Sequence, residues 1–182
     1  MSAYHTLSVL VQNQPGVLAR ISGLFARRGF NIESLAVGPT EDHELSRITL
    51  VIEVENDAVL EQITKQLNKL VEVIRILEFE SGEAVRRELV LVKVRADART
   101  RSQVLEIAEM FRGRIVDVAP ETVVVETTGG YGKIQALLAL LEPYGIRELI
   151  QSGSVALGRG ARAITDRSRY DKTPKSERAL GA

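Results

Sequence analysis

The strongest constraint on this chain is an order of hydrophobic periodicities that it runs through twice. In "TLSVLV", residues 6–11, Leu7, Val9 and Val11 share one side of an extended segment, the period of a half-buried strand. After "NQPG", the residues Val17, Leu18, Ile21, Leu24 and Phe25 recur at helical spacing as far as Gly29, a suitable left-handed stop. "FNIESLAV" predicts a second strand, "TEDHE" a polar turn and "SRITLVIEV" a third strand, with the last two strands paired as a hairpin. Val59, Leu60, Ile63, Leu67 and Leu70 mark a second amphipathic helix, and "VEVIRILEF" a closing strand. The order βαββαβ implies a four-stranded antiparallel sheet with both helices on one face, the ferredoxin-like plan.

"ESGEAVRRE" breaks the rhythm with charge and glycine and reads as a linker, assigned to residues 80–87 between units at 4–79 and 88–158. The order then restarts. "LVLVKV" predicts a strand, and Val104, Leu105, Ala108 and Phe111 the inner face of a helix. Two strands flank a Pro-Glu turn in "GRIVDVAPETVVVET". A helix follows with Ile134, Leu137, Leu138 and Leu141 inward, then one last strand in "IRELIQSGSVAL". The fold class is therefore α+β, two tandem ferredoxin-like units. Residues 159–182, rich in charge and poor in large apolar side chains, are expected to form a flexible tail that adds little to either core, although part of it could order on a partner.

Composition narrows the function classes. With 24 Lys and Arg against 24 Asp and Glu, the chain has no overall positive field to draw it onto nucleic acid or an anionic membrane. It lacks cysteine, and with it a disulfide framework, a thiolate nucleophile or a thiolate metal site, which makes the cytoplasm the default expectation. No basic flank precedes an apolar core at the N-terminus, and no run of about 18 apolar residues is present, so neither secretion nor a membrane span is expected.

Three local patterns are set aside. "TTGGYGK" is a glycine-rich helix start and not a phosphate loop, because Ile134 stands after Lys133 where a Walker loop needs Ser or Thr. His5 and His43 have no second histidine at ligand spacing, so no metal or triad is expected. Glu41, Asp42 and Glu44 read as a solvated hairpin tip.

The stretch "LSVLVQNQPGVLARISGLFARRGFNIESLAVGPTED", with "LSRITLVI", "LEQITKQLNKLVEV", "RELVLVKV" and "FRGRIVDV", resembles the small regulatory subunits of acetohydroxyacid synthase (acetolactate synthase) over residues 4 to 158. The resemblance implies an N-terminal ACT domain followed by an ACT-like domain, and a chain with no catalytic residues of its own. It implies a homodimer through the ACT domains that activates a catalytic large subunit in branched-chain amino acid biosynthesis and imposes feedback inhibition by valine bound at the ACT interface. Thiamine diphosphate, magnesium and FAD are then expected in the large subunit, and no cofactor in this chain. The alternative is a free-standing tandem-ACT sensor acting on another protein.

An amino-acid effector needs donors for its carboxylate, acceptors for its ammonium and an apolar slot. The first turn of a helix carries unpaired N–H groups and partial positive charge, so the backbones of Gly16, Val17 and Leu18 are candidate donors. Asn13 is a candidate helix cap or ligand contact, and Pro15 sets the direction into the helix. The family motif assigns Asn31 to the ammonium across the interface and Ile32 to the slot. Taken alone, Asn-x-Pro-Gly before a helix is a cap and turn, and Asn31 a polar residue at a strand end.

Overall fold

A computed structural model describes residues 3–80 and 82–166. The first unit contains β1 (Ala3–Gln12), α1 (Val17–Arg28), β2 (Ile32–Pro39), β3 (Leu45–Val54), α2 (Asp57–Leu67) and β4 (Val73–Phe79). Its sheet runs β2-β3-β1-β4, with β1 antiparallel to both neighbours and β2 at one edge. The alternating residues Leu7, Val9 and Val11 meet Ile21, Leu24 and Phe25 of α1 and Leu60, Ile63 and Leu67 of α2 in one buried cluster. Gly29, at φ 70, ends α1 by returning its N–H to the Ala26 carbonyl. Asn56 caps α2, its side-chain oxygen accepting from the Val59 N–H at 3.1 Å.

The second unit repeats the plan with β5 (Ala84–Arg95), α3 (Arg101–Met110), β6 (Arg114–Val118), β7 (Thr122–Gly129), α4 (Tyr131–Leu141) and β8 (Ile146–Gln151), in the sheet order β6-β7-β5-β8. Val90, Val92, Val94, Val104, Ile107, Ile134, Leu137 and Leu141 are buried together at its centre. Two ferredoxin-like units in tandem are thus the architecture of the chain.

Three expectations are corrected. The stretch read as a linker becomes strand from Ala84 onward, because β5 continues without a break from Ala84 into the second sheet. The single last strand divides at Gly153, which has φ 80, into β8 and a separate β9 (Val155–Gly158). β9 pairs antiparallel with Ala84–Arg87, making a two-stranded ribbon. Finally, the start of the expected tail is not idle. Ile164 is only 5% exposed, and its carbonyl accepts from the Arg75 guanidinium at 2.6 Å. The flexibility expected of residues 167–182 falls outside the described residues.

The ribbon explains why β1 departs from simple alternation. Thr6, Ser8 and Leu10, on the face of the first sheet away from its helices, are as buried as Leu7 and Val9. Phe79, the cross-strand partner of Thr6, stands 3.3 Å from where a Cβ on Gly158 would be, so the end of β9 rests directly on that face. A sheet face that would otherwise be wet is covered by the second unit.

Candidate functional site

The corner after β1 is built by short-range chemistry. The Asn13 N–H donates to the Glu44 carbonyl at 2.6 Å and its side-chain Nδ2 to the His43 carbonyl at 3.0 Å, which ties the corner to the tip of the β2–β3 hairpin. Asn13 therefore does not cap α1, and no side chain does. Gly16 occupies the cap position at φ 87, a left-handed conformation that glycine adopts without strain, and its carbonyl accepts the first helical bond from Arg20.

The expected donors separate into two kinds. The Val17 N–H turns back to the Gln14 carbonyl at 3.4 Å and its side chain lies in the core, so Val17 is a poor donor to a ligand. The N–H groups of Gly16 and Leu18 have no partner among the described residues. No acidic side chain stands in the first turn of α1 to neutralise its positive end. Leu18, expected on the inner face of the helix, is 40% exposed and projects away from the core. Its place on the inner face is taken by Val17 and Ile21.

Asn31 and Ile32 lie elsewhere in the same protomer. They stand at the start of β2, just past the C-terminal end of α1, whereas Gly16 is at its N-terminal end. A helix of 12 residues separates them, roughly 18 Å at 1.5 Å per residue. Ile32 packs against the first core, and the exposed Asn31 donates from Nδ2 to Glu33 at 3.3 Å. One chain therefore does not bring the six expected residues together.

The features set aside in the sequence have structural partners. Lys133 folds back to donate to the Thr128 carbonyl at 2.7 Å, in place of facing a phosphate. His5 pairs with Glu78 at 2.9 Å. Asp42 accepts from the Glu44 N–H at 2.9 Å within the hairpin tip. Among the described residues no cluster of three or more His, Asp or Glu could hold a metal ion, and no helix is long and apolar enough to cross a membrane.

Comparison with known proteins places this geometry in a family. Residues 7–75 match a family model described as an AHAS small subunit-like ACT domain, and residues 87–160 one described as the small subunit of acetolactate synthase. An acetolactate synthase small subunit from Mycolicibacterium smegmatis is 60% identical over 160 residues, covering 88% of this chain and 94% of that one. The chain belongs to the acetolactate synthase small-subunit family.

The family likeness extends to distant relatives. A probable acetolactate synthase small subunit from Archaeoglobus fulgidus is 51% identical over 156 residues, with 86% of this chain and 97% of that one aligned. The crystal structure of an acetolactate synthase small subunit from Thermotoga maritima superposes with a TM-score of 0.79 at 39% identity, covering 88% of this chain and 99% of that one. The fold assigned above is therefore that of a small-subunit family member, a regulatory subunit with an ACT domain.

What sequence reasoning missed is the joint between the two units. Residues Ser152, Gly153 and Ser154 link β8 to β9 and touch both sheets. The one sequence signal for it was the turn-prone "QSGSV", absorbed above into a continuous strand.

Proposed function

We propose that this small subunit activates a thiamine-diphosphate-dependent catalytic large subunit in branched-chain amino acid biosynthesis and confers feedback inhibition by valine. The effector is held where two ACT domains meet. The observation that carries this reading is the separation of Gly16 from Asn31 along α1. A two-fold axis beside β2 and α1 sets the Gly16 corner of one protomer against the Asn31 end of its partner, so that two half-sites become two whole ones. The outer edge of β2, which no strand among the described residues pairs, and the exposed Leu18 support such a pairing, since both are surfaces that a second copy would cover.

In that arrangement the Gly16 and Leu18 N–H groups, at the positive end of α1, hold the effector's carboxylate. The partner's Asn31 accepts from the ammonium once its side chain leaves Glu33, and Ile32 lines the aliphatic slot. Discrimination among valine, leucine and isoleucine is modest, because one methylene is worth only about 1–3 kcal/mol. Thiamine diphosphate, magnesium and FAD belong to the large subunit, where the condensation of pyruvate takes place, and this chain acts by favouring one of its conformations.

The test is a rate assay of the large subunit with and without this chain, titrated with valine, leucine and isoleucine, alongside calorimetric titration of the chain with valine. The expected outcome is a faster reaction on adding the chain, loss of that gain with valine, and one valine bound per chain. An unchanged rate at saturating small subunit would overturn the activation.

A further inference from the structure

The loop that joins β8 to β9 is fastened on two sides. On the first unit, Ser34 Oγ of β2 accepts from the Ser154 N–H at 2.8 Å, across a sequence separation of 120 residues. Gly153 sits so close to β2 that a Cβ would lie 2.9 Å from the Leu35 carbonyl oxygen and 3.0 Å from Ser34 Oγ. On the second unit, the Leu89 N–H donates to Ser152 Oγ and the Ser152 N–H to the Leu89 carbonyl, both at 3.0 Å. Residues 152–154 thus connect β2 of the ACT domain directly to β5 of the second unit.

Their position along β2 gives this connection a role. Ser34 is two residues beyond Ile32, and the register between β2 and β3 shifts between these two residues. Ser34 and Leu35 follow Asn31 and Ile32 along the chain at the start of β2, with Glu33 alone between Ile32 and the contact that Ser34 makes with Ser154. Close packing against the Leu35 carbonyl leaves Gly153 no slack to absorb a shift of that strand.

We infer that Ser34 and Gly153 form the coupling contact through which effector occupancy at the start of β2 is passed to the second unit. Both act as positioning residues and neither touches the effector. The inference rests on the valine reading above and adds its route. Binding shifts Ser34 and Leu35 against the 152–154 loop, and Leu89, bonded twice to Ser152, carries the shift into β5. Coupling of this kind requires that the two occupancy states differ in free energy through this contact.

The experiment uses the holoenzyme reconstituted with the full-length chain carrying Ser34→Ala, Gly153→Ala or both. Three quantities are read: valine affinity of the small subunit by calorimetry, activation without valine, and residual activity at saturating valine. Ser34→Ala is expected to bind valine within about threefold of the unmodified chain and to activate normally, while residual activity at saturating valine rises at least about fivefold. The double variant should show less than the sum of the two single effects, as expected of residues in one contact. Should Gly153→Ala fail to fold because of its backbone clash, Ser34→Ala alone decides. Normal valine binding with unaltered inhibition in Ser34→Ala overturns this inference and leaves the effector reading standing. An unmodified chain that binds no valine overturns the effector reading, and the coupling with it.

Discussion

The side-chain amide of Asn13 donates to the backbone carbonyl of His43, 3.0 Å away, and so fastens the chain leaving β1 to the turn between β2 and β3. The same turn accepts the Asn13 N–H through Glu44, so the corner keeps one anchor if the side chain is removed. Asn13→Ala is accordingly expected to lower stability by about 0.5–1 kcal/mol, the low end for a neutral hydrogen bond at an exposed site. The urea midpoint should fall with no change in slope. A loss several times larger would mean that Asn13 supports more than this one bond.

Gly16 separates backbone cost from ligand chemistry. A Cβ there meets nothing within 4 Å, so Gly16→Ala is expected to cost only the left-handed backbone penalty of about 1–2 kcal/mol. Gly16→Asp incurs a similar cost and adds a negative charge where an effector's carboxylate would sit. Activity assays of the reconstituted holoenzyme should show valine inhibition lost in Gly16→Asp, retained in Gly16→Ala, and activation retained in both. Normal inhibition in the Asp variant would remove Gly16 from the effector site.

Arg101 closes the second unit as a clamp. Its guanidinium donates to the carbonyls of Ala96 at 3.1 Å, Ala119 at 2.8 Å and Pro120 at 2.6 Å, joining the end of β5 to the β6–β7 turn. Arg101→Met leaves these acceptors without their charged donor and should cost about 1.5–3 kcal/mol. Arg101→Lys should recover only part of the loss, because an ammonium lacks the planar fork that spans several acceptors. Chemical denaturation of the three proteins gives the order. Full rescue by lysine would count against the clamp.

Glu88 makes the stability of the joint depend on pH. Burial pushes its carboxyl above the ordinary value of 4.5, and the Gly153 N–H pulls the other way with the smaller effect. The folded chain then holds this proton more tightly than the unfolded chain does. Its contribution is fully present below 4.5 and is lost as pH rises from there through the folded value. Glu88→Gln keeps the size of the side chain and removes the titration, so its stability should fall less over that interval. Urea midpoints measured from about pH 4 to 7 compare the two chains. Parallel profiles would contradict the assignment.

Much of the fold was legible because it is local. The alternation of Ile48, Leu50, Ile52 and Val54, the helical spacing of Ile21, Leu24 and Phe25, and the stop at Gly29 all appear in the structure as read. The ribbon escaped because Ala84–Arg87 carries two arginines and neighbours a glycine turn, a composition that suits a linker as well as a narrow strand pair. Ile164 escaped because a single large apolar residue in a polar stretch has no periodicity to reveal it. At the candidate site, spacing put Val17 and Leu18 on the same apolar stripe, and only packing distinguished the buried one from the exposed one.

By itself the sequence determined two βαββαβ units, their helix stops and their separate cores, since each follows from periodicities and turn chemistry within a few dozen residues. The tertiary structure alone decided that Ser8 and Leu10 are buried and that Gly153 rests on Leu35. Those facts depend on which surfaces meet across more than a hundred residues of chain. Nothing in a local pattern encodes such a meeting, because it is selected by the fit of whole faces once the elements have formed.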